Sequence, residues 1–378
     1  MNVSIDISKK RIAIFLPGLY DGGAERVMLN LAAGLISHGY AVDLILVQAE
    51  GPYMNEIPSS VRLVELNKKH LSAQRTLSSL PSLVRYIQRE KPNAMLSGLN
   101  YANVIALWAK KLAGVPLRLI ISEHNTFSCE RAQLPRYFRW ILNTFMKLSY
   151  PNADGIIAVS EGVADDLSYV LGIPREQINV IYNPIITPDI QRKKDEPLED
   201  PWFGNNQPPV VLAIGRLTEQ KGFDILIRAF AQVRRKRLAH LLILGEGEDR
   251  PSLMSLVKEL GLEQDVRLPG FISNPYPYMA NASLFVLSSR WEGLPTVLVE
   301  ALYCGAPLIA TDCPSGPREI LKNGQYGQLV PVDNIDCLEH SISFALEGET
   351  PMISPASWRS FELNTVIGQY VKVLFETH

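Results

Sequence analysis

Short, almost unbroken runs of Val, Ile and Leu recur along this chain, each followed by a longer stretch with a helical spacing of apolar residues. The first series is "RIAIFLP" (11–17), "VDLILV" (42–47), "VRLVEL" (61–66), "NAML" (93–96), "LRLIIS" (117–122), "GIIAVS" (155–160) and "INVI" (178–181). A second series is "PVVLAIG" (209–215), "HLLILG" (240–245), "DVRLPG" (265–270), "ASLFVLS" (282–288) and "PLIATD" (307–312). Strands that are apolar on both faces must be covered on both, the condition met by parallel sheets with crossover helices. The alternation predicts two doubly wound α/β domains. A length of 378 residues accommodates both.

Between the two series lies "NPIITPDIQRKKDEPLEDPWFGNNQPP" (183–209), rich in Pro, Asn and charge and without an apolar period. It reads as an interdomain linker with its flanking loop. The expected domains are 1–183 and 184–355, with the linker at 184–209, followed by a last helix in 356–378. A net charge of -2 provides no basic field for nucleic acid, so no nucleic-acid partner is expected. Cys129, Cys304, Cys313 and Cys337 contain no C-x-x-C pair and read as reduced cytosolic thiols. The apolar run "IAIFLPGL" contains a proline and lacks a cleavage-like site, so it does not read as a secretory signal. Uncharged stretches at 92–109 and 268–289 are broken by Asn93, Asn100 and Asn103, and by Pro269, Pro275 and Pro277, and do not read as membrane spans.

Ligands of open α/β sheets sit beyond the carboxyl ends of the strands, so the loops there carry the functional signal. After the first strand, Gly22 and Gly23 precede a helix whose free N–H groups suit an anion, although a tight strand–helix turn explains them equally well. Their spacing is neither G-x-G-x-x-G nor a phosphate-binding G-x-x-x-x-G-K-[ST] loop. His124 follows the fifth strand; a structural and a ligand-facing histidine are both open there. In the second domain Arg216 follows Gly215 at the strand end and Lys221 precedes the next helix, two cations suited to a diphosphate.

The stretch "EGLPTVLVE" (292–300) is the most specific. Pro295 suits a first helical turn, and Gly293, Leu294 and Thr296 place N–H groups near it. Glu300 falls among Val297, Leu298, Val299, Ala301 and Leu302, where a carboxylate needs a partner such as ribose hydroxyls. Glu292 stands at the mouth, able to accept hydrogen bonds from sugar hydroxyls.

Five segments in order, "GGAERV", "SEHN", "GRLTEQKGFDILIRAF", "EGLPTVLVEAL" and "TDCPSGPREIL", resemble the retaining glycosyltransferases of family 4, whose signature is E-x7-E, here Glu292 to Glu300. The resemblance implies a GT-B fold, two Rossmann-like domains facing across a cleft, with the C-terminal helix crossing back to the first. It implies a nucleotide-sugar donor, UDP-linked and carrying a hexose or N-acetylhexosamine, bound by the second domain, and an acceptor docked mainly on the first. Carried onto this chain, Glu300 would bind ribose. Arg216, Lys221 and the amides around Thr296 and Val297 would neutralise the diphosphate. Glu292, Gly293 and Leu294 would hold the donor sugar, and His124 would contact it. Gly22 and Gly23 would let the first domain close over the phosphates, and Gly270, Phe271 and Ile272 would lie near the base.

Charge building on a departing diphosphate can be stabilised by fixed cations and helix N-termini. No two aspartates are separated by one residue, so the D-x-D metal motif of other transferases is missing; no metal and no cofactor besides the nucleotide-sugar co-substrate is expected. No general base stands out, which suits the family's front-face mechanism with retention.

The helical stretch "RYFRWILNTFMKL" (136–148) places Phe138, Ile141, Leu142, Phe145 and Leu148 on one face and Arg136, Arg139, Trp140 and Lys147 on the other. The basic face with its tryptophan suits an anionic membrane surface or a lipid diphosphate, and a plain solvated face explains it as well. "GGAERV" and "TDCPSGPREIL" also resemble bacterial enzymes that extend lipid-linked oligosaccharides or lipopolysaccharide, which implies a glycan or glycolipid acceptor and a cytoplasmic protein peripheral to the inner face of the plasma membrane. Two rivals share the two-domain pattern: a UDP-N-acetylglucosamine 2-epimerase-like enzyme and a non-catalytic sugar-binding protein.

Overall fold

The computed structural model describes residues 10–20, 22–66, 75–128, 136–348 and 355–376. The chain divides into two compact units, one running to Ile185 and resuming at Phe361, the other comprising Ile186–Ser360.

Every run in the first series is a strand of the first unit: β1 (Arg11–Leu16), β2 (Ala41–Leu46), β3 (Arg62–Glu65), β4 (Ala94–Gly98), β5 (Arg118–Glu123), β6 (Gly155–Ala158) and β7 (Ile178–Val180). They form one parallel sheet in the order β3-β2-β1-β4-β5-β6-β7. Ile12–Leu16 and Leu44–Leu46 are completely buried, as strands covered on both faces require. Edge strand β3 is instead largely exposed and carries Arg62 and Glu65. β1 pairs with β2 on one side and β4 on the other. The winding reverses there, which opens a crevice beyond their carboxyl ends.

The last helix of the chain belongs to this unit. It begins at Leu363 rather than in the 350s, after two 3-10 turns at Pro355–Ser357 and Arg359–Phe361, and ends at Phe375. Val366, Ile367, Tyr370 and Leu374 are completely buried against the sheet and against the helix Gly23–Ser37. Gly34 makes the approach possible: a Cβ there would lie 2.6 Å from Ile367 Cδ1.

In the second unit the strands are β8 (Val210–Ile214), β9 (His240–Leu244), β10 (Val266–Gly270), β11 (Leu284–Leu287), β12 (Leu308–Thr311) and β13 (Gln328–Val330). Their order, β10-β9-β8-β11-β12-β13, repeats the winding of the first unit, with its reversal between β8 and β11. The sequence did not announce β13: only three residues long and half-buried, it lacks an apolar run. The stretch read as a linker is also more structured than its composition suggests. From residue 186 it is part of the second unit, with a helix at Pro188–Lys194 that buries Ile190. Trp202 stacks on His240 with ring centroids 4.1 Å apart. Among the described residues no helix is long and apolar enough to cross a membrane.

Replacing Ile367 by Ala should lower the stability of the protein by about 3 kcal/mol, through lost burial and the cavity left behind. Urea unfolding followed by circular dichroism measures this; a change within error would mean that the last helix is not part of the cooperative core.

Candidate active site

At the reversal point of the second unit, two loops distant in sequence are fastened together. The loop after β8 carries Arg216 and Lys221, and the loop after β11 carries Glu292. Gln220 Nε2 donates to Trp291 O at 2.9 Å, Arg290 N donates to Gln220 O at 2.7 Å, and Arg290 Nη1 donates to Glu219 O at 2.7 Å. Gly222 completes the seam with φ 60°, since a Cβ there would lie 2.3 Å from Ser288 O. As a result Lys221 Nζ meets Glu292 Oε1 at 2.6 Å, and its aliphatic stem runs 3.3 Å from where a Cβ of Gly215 would be. Ser289 Oγ donates to the same Glu292 oxygen at 2.6 Å.

Arg216 is different. It is exposed at the carboxyl end of β8, and its guanidinium makes no hydrogen bond or ion pair among the described residues.

Next in the chain is the helix Thr296–Cys304, with Pro295 just outside it as the cap and not in its first turn. Proline offers no side-chain acceptor, so the N–H groups of Thr296 and Val297 carry no side-chain cap. Both residues are half-buried, while Gly293 and Leu294 are buried in the preceding turn. Ser315 Oγ holds that turn through Gly293 O at 2.8 Å. One turn into the helix, Glu300 is only 6% exposed, and Tyr276 OH donates to its Oε1 at 3.1 Å. Tyr276 follows the loop after β10, so the loop that carries Phe271 and Ile272 lies on the side of Glu300. Ile272 is half-buried and Phe271 70% exposed. The strand ends between them are bare backbone: Gly245, at φ 141°, would put a Cβ 2.0 Å from Gly215 O.

Burial and the neighbouring carboxylates, Glu292 for Cys313 and Glu300 for Cys304, push both thiols up to about 12. They are inert thiols at neutral pH. Cys337 is also a free thiol, and Cys129 lies outside the described residues.

In the first unit His124 follows β5 and is 7% exposed. Its Nε2 lies 3.1 Å from Ser122 Oγ, and its Nδ1 is buried without a partner among the described residues. Burial lowers its pKa to about 4, so the ring is neutral at pH 7. Gly22 caps the helix Gly23–Ser37 in an extended conformation, and a Cβ there would lie 2.2 Å from Glu25 Oε2. A carboxylate thus stands over the turn where an anionic ligand was expected.

A model of the family "Glycosyltransferase Family 4" matches residues 21–189, and one of "Glycosyl transferases group 1" matches residues 196–361. The N-acetylgalactosamine-N,N'-diacetylbacillosaminyl-diphospho-undecaprenol 4-alpha-N-acetylgalactosaminyltransferase of Campylobacter jejuni is 34% identical over 348 residues, covering 90% of this chain and 91% of the relative. This chain belongs to glycosyltransferase family 4. The epimerase and sugar-binding readings fall away with that assignment. This glycosyltransferase is also 28% identical to the lipopolysaccharide core biosynthesis glycosyltransferase LpsE of Rhizobium meliloti, over 93% of this chain and 92% of LpsE. Its fold is GT-B, shared with Anabaena Alr3699/HepE solved in complex with UDP and glucose, at a TM-score of 0.77 and 21% identity over 97% and 99% of the two chains.

One surface of the glycosyltransferase departs from the helical projection of its sequence. Among the described side chains of the helix Arg136–Ser149 the buried ones are Leu142, Met146 and Ser149. Ile141, Phe145 and Leu148, expected to face inward with Leu142, are 38%, 44% and 70% exposed, and Phe145 packs edge-on against Trp108. Trp140 and Lys147 are exposed as expected, and Arg139 is half-buried. The side chains of Arg136 and Phe138 lie outside the described residues. The face is therefore apolar with a basic margin, because this helix packs along a narrower stripe than its composition allows.

Sequence reasoning passed over Ser289, Tyr276 and Glu25. Ser289 stood three residues before Glu292 and could have been noticed; Tyr276 is brought to Glu300 only by the sheet order.

Because folding depresses the His124 pKa, the unfolded chain takes up a proton that the folded protein refuses. The stability is present above about pH 6.5, is lost as pH falls from there to about 4, and the loss is complete below. At about 1.4 kcal/mol per unit the loss is of order 3 kcal/mol. Urea titrations at about pH 7 and about pH 5 should show His124→Gln losing less stability on acidification than the wild type. Equal losses would mean that His124 is not buried as described.

Proposed function

We propose that this glycosyltransferase is a retaining, metal-independent enzyme that moves an N-acetylhexosamine or hexose from a UDP-sugar to a lipid-linked glycan in bacterial surface polysaccharide synthesis. The observation that carries the donor reading is the grouping of Arg216, Lys221, the uncapped amides of Thr296 and Val297, and buried Glu300 around one crevice of the second unit. Cations and a helix N-terminus suit a diphosphate, and a buried carboxylate suits the paired hydroxyls of a ribose. The relatives support the acceptor reading: one is named for a diphospho-undecaprenol saccharide, another for lipopolysaccharide core.

The reaction breaks the bond between the anomeric carbon and the phosphate oxygen and forms one to the acceptor oxygen on the same face. The acceptor proton passes to the departing phosphate. Arg216 and the Thr296 and Val297 amides stabilise the charge that builds there, taking the part that a metal plays in D-x-D enzymes. His124, as a neutral imidazole, exchanges hydrogen bonds with sugar hydroxyls and adds no charge.

Mixing the protein with UDP-N-acetylgalactosamine and a lipid-linked saccharide in EDTA should release UDP only when both substrates are present, and NMR of the product should show an α linkage. A β linkage would overturn retention, and strict dependence on a divalent metal would overturn metal independence. Arg216→Ala should lower kcat far more than it raises the donor KM. Glu300→Gln should weaken UDP binding by about tenfold in calorimetry, since a charge-assisted acceptor contributes about 1–3 kcal/mol; an unchanged affinity would remove ribose from Glu300.

The exposed side chains of Trp140, Ile141, Phe145 and Leu148, with Lys147 beside them, support peripheral contact with an anionic membrane that carries the acceptor. Wild-type protein should co-sediment with phosphatidylglycerol vesicles, less so at high salt. The variant Trp140→Ala/Leu148→Ala should not. Equal behaviour of the two proteins would leave this face as plain surface.

A further inference from the structure

A diphosphate that takes up the Lys221 ammonium competes with Glu292 for its charge. The Lys221 ammonium is engaged at 2.6 Å by Glu292, with the two side chains only 15% and 7% exposed. Arg216, by contrast, is exposed and makes no ion pair among the described residues. Ser289 adds the second element. It is completely buried, its carbonyl accepts from Thr311 Oγ1 at the end of β12, and its hydroxyl donates to the very oxygen of Glu292 that Lys221 holds. Glu292 is therefore tethered to the scaffold independently of the lysine.

We propose that Glu292 holds the place of the donor diphosphate on Lys221: an arriving diphosphate takes over the ammonium, and the carboxylate, retained by Ser289, turns its acceptor capacity to hydroxyls of the donor sugar. The exchange rests on the donor reading given above. Its consequence is discrimination between donor and product. A nucleotide sugar returns hydroxyl donors to Glu292 in place of the cation it removes. A bare nucleoside diphosphate removes the cation and returns nothing, so its binding is penalised by the broken ion pair. Phosphate recognition and sugar recognition are thus coupled through one side-chain pair, and Ser289 is a positioning residue for it.

Calorimetry with UDP and with UDP-N-acetylgalactosamine tests the exchange in the wild type, Glu292→Gln, Lys221→Met and the double variant. Glu292→Gln should bind UDP about tenfold tighter than the wild type and UDP-N-acetylgalactosamine more weakly. In the Lys221→Met background, where no ion pair exists to be broken, Glu292→Gln should leave UDP affinity within about twofold. If Glu292→Gln weakens the nucleotide sugar but leaves UDP unchanged with Lys221 present, Glu292 contacts the sugar without any exchange and the proposal fails while the donor reading stands. If neither nucleotide binds the wild type, both fail. Ser289→Ala, which keeps the charges, provides a test that does not depend on the folding of Glu292→Gln. It should weaken UDP-N-acetylgalactosamine and leave UDP within about twofold, because the tether aims the carboxylate at hydroxyls of the donor sugar, which UDP lacks. Equal weakening of both would overturn the positioning role.

Discussion

Parallel pairing of β8 with β11, strands far apart in the chain, puts the winding reversal of the second unit between them. Their connections turn to opposite faces of the sheet, and both trailing loops are left at one crevice. The candidate diphosphate-binding chemistry of the second unit follows from that adjacency. It allows the 219–222 and 288–291 segments to be joined backbone to side chain, and the joint in turn sets the position of Lys221 against Glu292. A strand order that separated β8 from β11 would leave the same residues scattered along an edge.

The crevice combines two kinds of positive potential. Arg216 is an exposed guanidinium, whereas the first amides of the helix Thr296–Cys304 are fixed partial charges that need no reorganisation. The two carboxylates are held differently. Glu300 is braced by a tyrosine hydroxyl and Glu292 by an ammonium and a serine. A buried carboxylate is tolerated only with such partners, which explains why an apolar helix can carry one.

The corresponding crevice of the first unit is chemically unlike it. Its rim holds a neutral His124 and the Glu25 carboxylate beside Gly22. That combination suits uncharged hydroxyl groups better than a phosphate, and the depressed pKa of His124 keeps its ring a hydrogen-bonding group across the physiological range. The two units share a winding and differ in what stands at the strand ends, which is how one architecture hosts two kinds of site.

The sequence by itself determined the strands and their parallel arrangement, because burial on both faces demands unbroken apolar runs that local inspection can find. It missed β13, whose three residues depend on a neighbour for their burial. It also singled out Arg216, Lys221, Glu292 and Glu300 as candidates, since turn chemistry and a carboxylate at a buried helical position are local signals. Tertiary structure alone decided how those residues are partnered. Lys221 meets Glu292, Tyr276 meets Glu300, and Ile367 meets Gly34 only because strand order and helix packing bring distant segments within reach. The exposed face of the helix Arg136–Ser149 was decided in the same way. Periodicity defines an apolar stripe, but the width of that stripe taken up by neighbours depends on packing, and here Leu142 and Met146 are enclosed while Ile141 and Leu148 face solvent.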